Sequence, residues 1–203
     1  MIFKFYDYSV KRYKTPKKTF INALKFLFLM AKLRKGISYR SLERPYTRYS
    51  KFRKKAFIRI SPNVKIVRFD MGNLNKKFEY QVDLITKDSL QIRQEAIEAA
   101  RRTSNRLLEK KVGKQNYFFK IRMFPYHVLR ENPLAKGAGA DRFSTGMSHA
   151  FGKPIGIAAQ VKKGKSIFSI YTDKVYTNAA REALVKAKKK LPCKCTIQVK
   201  ENK

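Results

Sequence analysis

Between Phe78 and Gly113 the hydrophobic period changes once, and that change limits the fold more than any other feature of the chain. Residues 78–86, FEYQVDLIT, put Phe78, Tyr80, Val82 and Leu84 on one face, the alternation of a half-buried strand. Asp88 is placed to cap a following helix, with Gln91 three residues on as its capping-box partner. Leu90, Ile97, Ala100, Ser104 and Leu107 then form the buried stripe of that helix. Gly113 terminates it, and Lys110 and Lys111 suit its negative end. A strand with one apolar face, joined by a few residues to a helix with one apolar stripe, buries both surfaces by laying the helix on the sheet.

The rest of the rear half adds elements of the same kind. NVKIVRFDMG (63–72) reads as a strand ending at Gly72, and NYFFKIRMF (116–124) as a strand stopped by Pro125, with YHVLR (126–130) extending beyond it. IGIAAQVKKGKSIFSIYT (155–172) reads as two strands joined through Lys162–Lys165, with Gly164 in the turn. NAAREALVKAKKKLP (178–192) is a second helix with Ala180, Ala183, Leu184, Ala187 and Leu191 on its core face, and CTIQV (195–199) is a closing strand. Strands and helices do not alternate as parallel βαβ units would. The expected fold is therefore α+β: a mixed or antiparallel sheet with two helices packed on it, preceded by a basic, extended N-terminal arm.

That arm is set apart by charge. Residues 1–60 hold eighteen basic residues against two acids, Asp7 and Glu43, and their hydrophobic period is poor. The whole chain of 203 residues carries a formal charge of +34, so a polyanion is its natural partner; nucleic acid and anionic membrane are the two to consider. The apolar run Phe20–Ala31 is broken by Lys25 and is shorter than the roughly 20 residues a membrane span requires. Lys17 and Lys18 before it imitate a signal sequence, but Lys32, Leu33, Arg34 and Lys35 stand where a cleavage site would. Cys193 and Cys195 are two apart, a spacing that with the two histidines makes no convincing four-ligand zinc site, and they read as small apolar residues in a reducing compartment. No metal or cofactor is expected.

The segment Arg130–Pro154, RENPLAKGAGADRFSTGMSHAFGKP, is glycine-rich and largely aperiodic. GAGADR (137–142) has Arg142 where a dinucleotide fingerprint needs its third glycine, and GKPIG (152–156) lacks the spacing of a P-loop. Glu131 and Asp141 lie among cations and read as charge balance or turn formers, and His149 has no evident catalytic partner in the sequence. His127 reads as a packed or base-stacking residue rather than a general base. In YRSLERPYTRYSKFRKKAF (39–57), by contrast, aromatic and basic residues interleave, which suits phosphate contact together with stacking on unpaired bases.

KIRMFPYHVLRENPLAKGAGADRFSTGMSHAFGKPIGIAAQV (120–161) resembles the signature region of the universal large-subunit ribosomal protein sixteen family, in its archaeal and eukaryotic branch, older name protein ten-e. GAGADR, TGM and AFGKP occur in the family's order; KGISYRSLERPYTRYS resembles its N-terminal arm and EAIEAARRTSNRLL its first long helix. The spellings RPYTR and VLREN are similar to archaeal members. The resemblance runs from about Met30 to about Val199. It implies a hammerhead-type α+β core at 61–203, an RNA-binding arm at 30–60, and a segment 1–29 foreign to the family, with Met30 as the expected initiator. It further implies a cytoplasmic structural component of the large subunit with no catalytic residue, whose partners are large-subunit rRNA, tRNA ends and neighbouring proteins, with no membrane and no small-molecule substrate. On this reading Lys32, Arg34, Lys35, Arg40, Arg44, Tyr46, Arg48, Lys51, Arg53, Lys54, Lys55, Arg130 and Lys153 contact RNA. The loop 131–145 reaches toward the peptidyl-transferase region, with Lys136, Gly137, Ala138, Gly139, Ala140, Asp141 and Arg142 nearest the tRNA. The rival reading is an RNA-acting or nucleotide-dependent enzyme that uses the glycine-rich loop.

Overall fold

The expected strand of alternating residues, β2 (Tyr80–Thr86), forms near the middle of a five-stranded antiparallel sheet. In the computed structural model, which describes residues 33–47, 52, 54, 58, 62–132 and 152–202, β2 pairs on one side with β7 (Ser166–Thr172) and on the other with β8 (Cys195–Glu201). β4 (Tyr117–Ile121) lies on the far side of β7, and the short β1 (Asp70–Gly72) completes the order β1-β4-β7-β2-β8. Val82, Leu84, Phe119, Phe168 and Ile170 are sealed from solvent on the inner face. The rings of Phe119 and Phe168 meet at 5.4 Å in a tilted contact, and each large apolar side chain so buried contributes about 1.5–3 kcal/mol.

Two helices cover that face. α1 (Gln94–Lys111) and α2 (Thr177–Lys188) pack on each other and on the sheet. Ala180, Ala183 and Ala187 keep α2 narrow where α1 crosses it, and Ser104 of α1 donates a hydrogen bond of 3.0 Å to the Ala183 carbonyl. Ile97, Ala100, Ser104 and Leu107 are buried as their spacing predicts, and so are Leu184 and Leu191. α1 ends as expected: Gly113 adopts φ +83, and its N–H returns to the Leu108 carbonyl at 3.2 Å.

The start of α1 differs from expectation. Residues Leu90–Arg93 form β3, and the helix begins only at Gln94. Leu90 and Ile92 are buried two residues apart, a strand period that a helical stripe containing Leu90 hides. Asp88 does not cap α1; its carboxylate accepts the Lys194 N–H at 3.1 Å and so ties the β2–β3 turn to the start of β8. The segment 63–72 forms a strand only at its last three residues. Upstream, the Lys65 N–H is taken by the Gln94 side chain at 2.8 Å, so those residues pack along the start of the helix while Ile66 is buried in the core. Gly72 is required at its position: at φ +89 a Cβ would overlap the Tyr117 carbonyl oxygen.

β3 belongs to a second antiparallel sheet, of order β3-β6-β5, with β6 (Lys153–Val161) in the centre and β5 (His127–Glu131) at the other edge. The expected single sheet is thus two. YHVLR continues from YFFKI in sequence but crosses to the second sheet after Pro125. β6 and β7 are joined through Lys162–Lys165 as expected, yet they belong to different sheets. Thr86 takes the turn instead, accepting from Gly164 N at 2.9 Å and donating to the Lys165 carbonyl at 3.1 Å, which separates the two strands. Cys193 and Cys195 are free thiols with sulfurs 3.3 Å apart. Among the described residues no helix is long and apolar enough to cross a membrane. The segment 1–29, including the expectation about Met30, lies outside the described residues.

Candidate nucleic-acid interface

In the basic arm a 3-10 turn at Gly36–Tyr39 leads into residues 40–46, whose backbone is used by the three-stranded sheet. Edge strands β3 and β5 each leave a row of peptide groups without a strand neighbour. The Gln91 N–H of β3 donates to the Arg40 carbonyl at 3.1 Å, and the Gln91 side-chain amide donates to the Ser41 carbonyl. Gln160, on the central strand, reaches the Glu43 carbonyl at 2.8 Å. At the far edge the Val128 N–H of β5 donates to the Tyr46 carbonyl at 3.1 Å, and the Tyr46 N–H donates to His127 Nδ1 at 2.8 Å. Residues 40–46 therefore cross the sheet from edge to edge. Alternation explains the side they take: Leu90, Ile92, Ala159 and Val161 face the main core, so Gln91 and Gln160 point the other way.

A small apolar cluster completes the seat. Ile58, Val128 and Ile157 are buried together with Tyr46 packed against them, and the Leu33 side chain lies over Gly156. With the arm's backbone turned to the sheet, the side chains of Lys35, Arg40 and Arg44 are exposed, and Lys54 is exposed as well. Arg34 Nε donates to Glu131 Oε1 at 2.5 Å, and the Arg34 carbonyl accepts from Arg93 at 3.2 Å.

His127, buried to 1% exposure, is a packed residue rather than an exposed stacking one. Burial pushes its pKa down, Glu43 pushes it up, and Arg130 pushes it down; the net direction is below the ordinary value. A neutral ring with Nδ1 unprotonated is the form that can accept the Tyr46 N–H.

The structure gathers some of the sequence-predicted residues and separates others. Arg34, Tyr46, Arg130 and Lys153 converge near one end of the β5–β6 pair, where Glu131 stands opposite Lys153 in register. The Arg130 guanidinium lies 4.0 Å from the centre of the Tyr46 ring, so that ring already carries a cation on one face. The glycine-rich segment leaves β5 and returns in β6, two adjacent antiparallel strands, so its two ends are held side by side. Arg40 lies at the β3 edge, where its carbonyl meets Gln91, while Lys35 directly follows Arg34 at the start of the 3-10 turn. Lys32, Arg48, Lys51, Arg53 and Lys55, together with the loop residues Lys136, Gly137, Ala138, Gly139, Ala140, Asp141 and Arg142, lie outside the described residues. One basic surface, the solvent side of α1, is not among the residues expected from the sequence. Arg102, Arg106 and Lys110 recur there every four residues, a signal that the helix's apolar stripe overshadows.

An α+β core with a basic arm laid over one sheet, its exposed cations Lys35, Arg40, Arg44 and Lys54 turned to solvent, defines a protein suited to a polyanionic partner. A family model described as ribosomal protein L16p/L10e matches residues 45–198. The large ribosomal subunit protein uL16 of Archaeoglobus fulgidus is 43% identical over 163 residues, spanning 80% of this chain and 90% of that protein. The protein of the same name from Methanoculleus marisnigri is 45% identical over 161 residues (77% and 95%), and that of Methanocella arvoryzae 44% over 163 (78% and 95%). The chain belongs to the ribosomal protein L16p/L10e family.

Proposed function

We propose that this chain is a cytoplasmic structural constituent of the large ribosomal subunit that binds large-subunit rRNA near the peptidyl-transferase region and supports tRNA positioning. The observation that carries the reading is identity of 43–45% along most of the chain with relatives named as large-subunit proteins. The physical setting agrees with it. Lys35, Arg40 and Arg44 have exposed side chains on an arm that the sheet holds through the Arg40, Ser41, Glu43 and Tyr46 peptide groups, which leaves their cations to phosphates. The loop 131–145, rooted between β5 and β6, is the segment we assign to the tRNA ends: Gly137 and Gly139 let backbone approach RNA closely, and Lys136 and Arg142 supply phosphate contacts. Lys153 and Arg130 stand at its root. The rival reading, an enzyme using the glycine-rich loop, finds no support among these relatives.

Sedimentation through a high-salt cushion tests the reading. The chain is expected to stay with large subunits and not with membranes; its release into the soluble fraction overturns the assignment. Subunits carrying Arg142→Ala are expected to keep the protein but lose tRNA occupancy, and normal occupancy would remove the loop's assigned role.

A further inference from the structure

The arm and the loop do not use the solvent side of the helices, and that side has the charge and shape of a second site. α1 turns Ile97, Ala100, Ser104 and Leu107 inward, which places Arg102, Arg106 and Lys110 on its opposite face. Steps of four residues along a helix advance about 6 Å and turn about 40°, so these three cations form an evenly spaced row that winds slowly around α1. Beside the row, α1 and α2 enclose a groove of about 580 Å³, to which Lys186 of α2 contributes from the other wall. Two of its cations are engaged: Arg102 with Glu98 at 2.8 Å, and Lys111 with Glu182 at 2.5 Å. The nearby acid Glu109 takes a hydrogen bond from Asn105 at 3.1 Å. Arg106, Lys110 and Lys186 have no ion-pair partner among the described residues.

We infer that this groove is a second RNA-binding surface, one that takes the sugar–phosphate backbone of a double-stranded RNA segment. The inference rests on the ribosomal reading and adds to it a surface distinct from the arm. Three features select this occupant. The excess of positive charge calls for a polyanion. The only apolar side chain lining the groove is Leu107, at 6% exposure, so the site lacks the aromatic or aliphatic anchor on which a protein partner's binding energy would concentrate. No ring lines it either, so it offers unpaired bases nothing to stack on. What it offers is a rigid row of cations on a helix, suited to successive phosphates and indifferent to base identity.

The test uses the full chain and a fully paired RNA hairpin, with affinity measured across a salt series. Removing one cation that neutralises a phosphate lowers the slope of log affinity against log salt by about 0.7–0.9. Arg106→Ala with Lys110→Ala is therefore expected to lower the slope by about twice that amount and to weaken binding. Both positions are exposed and alanine favours helix, so the thermal midpoint should hold. An unchanged slope in that variant, with wild-type binding that still responds to arm substitutions, overturns this inference and leaves the ribosomal reading standing. Failure of the wild-type chain to bind RNA overturns both. Substitution-sensitive binding of poly-glutamate alongside unchanged RNA binding also overturns it, in favour of an acidic protein segment.

Discussion

His127 shows how one side chain decides whether the arm docks. Its Nδ1 accepts the Tyr46 N–H at the point where the arm reaches β5. Protonation converts that acceptor into a donor facing a donor, and the bond breaks. Because burial holds the folded-state pKa below the ordinary 6.5, the folded protein binds fewer protons than the unfolded chain as pH falls past that value. The bond's contribution is complete above about pH 6.5 and declines as pH falls toward the lowered pKa. Urea midpoints measured between pH 7.5 and 5.5 are expected to fall more steeply for the wild type than for His127→Gln, whose carbonyl accepts at any pH; parallel curves would refute the role. In the sequence His127 reads as a packed or base-stacking residue, and its burial settles the choice for packing. Its partner could not be named, because Tyr46 lies 81 positions away and only the fold brings the two together.

Elements are legible where one period dominates and ambiguous where two periods overlap. α2 follows its alanine–leucine stripe, and the inward residues Val82 and Leu84 of β2 follow their alternation. Residues 90–93 did not, because Leu90 fits both a helical stripe and a strand, and pairing with β6 settled it as a strand. The turn at Lys162–Lys165 is legible in the sequence, but the divergence of its strands depends on Thr86, a contact remote in sequence. The helix pair offers a direct check on packing. Ala183 is sealed from solvent and its carbonyl accepts from Ser104 across the interface, so the helices approach where the side chain is small. Ala183→Leu is expected to cost about 1–3 kcal/mol by overpacking, read as a lower denaturant midpoint with an unchanged m-value. A variant as stable as the wild type would show that the interface has room to spare.

For the molecule as a whole, the arm solves two problems with one segment. It covers β3 and β5, edges that would otherwise be open to pairing with another chain, and in doing so it turns its cations outward. Composition marks the front of the chain as basic; it does not show that peptide groups of the arm are held by Gln91, Gln160 and Val128. This division of labour separates stability from binding within single residues. Lys35, Arg40 and Arg44 have exposed side chains, and the bond that Arg40 makes to Gln91 uses its backbone carbonyl. Replacing all three with alanine removes charge and leaves the peptide groups in place, so stability should stay within about 0.5 kcal/mol of wild type. Affinity for large-subunit rRNA should fall, and the salt slope should drop by about 0.7–0.9 for each phosphate contact removed. Gln91→Ala should do the reverse, loosening the arm and lowering the thermal midpoint while keeping every cation. If the triple substitution lowers stability as much as it lowers binding, the outward cations hold the arm to the sheet, and their assignment to RNA fails.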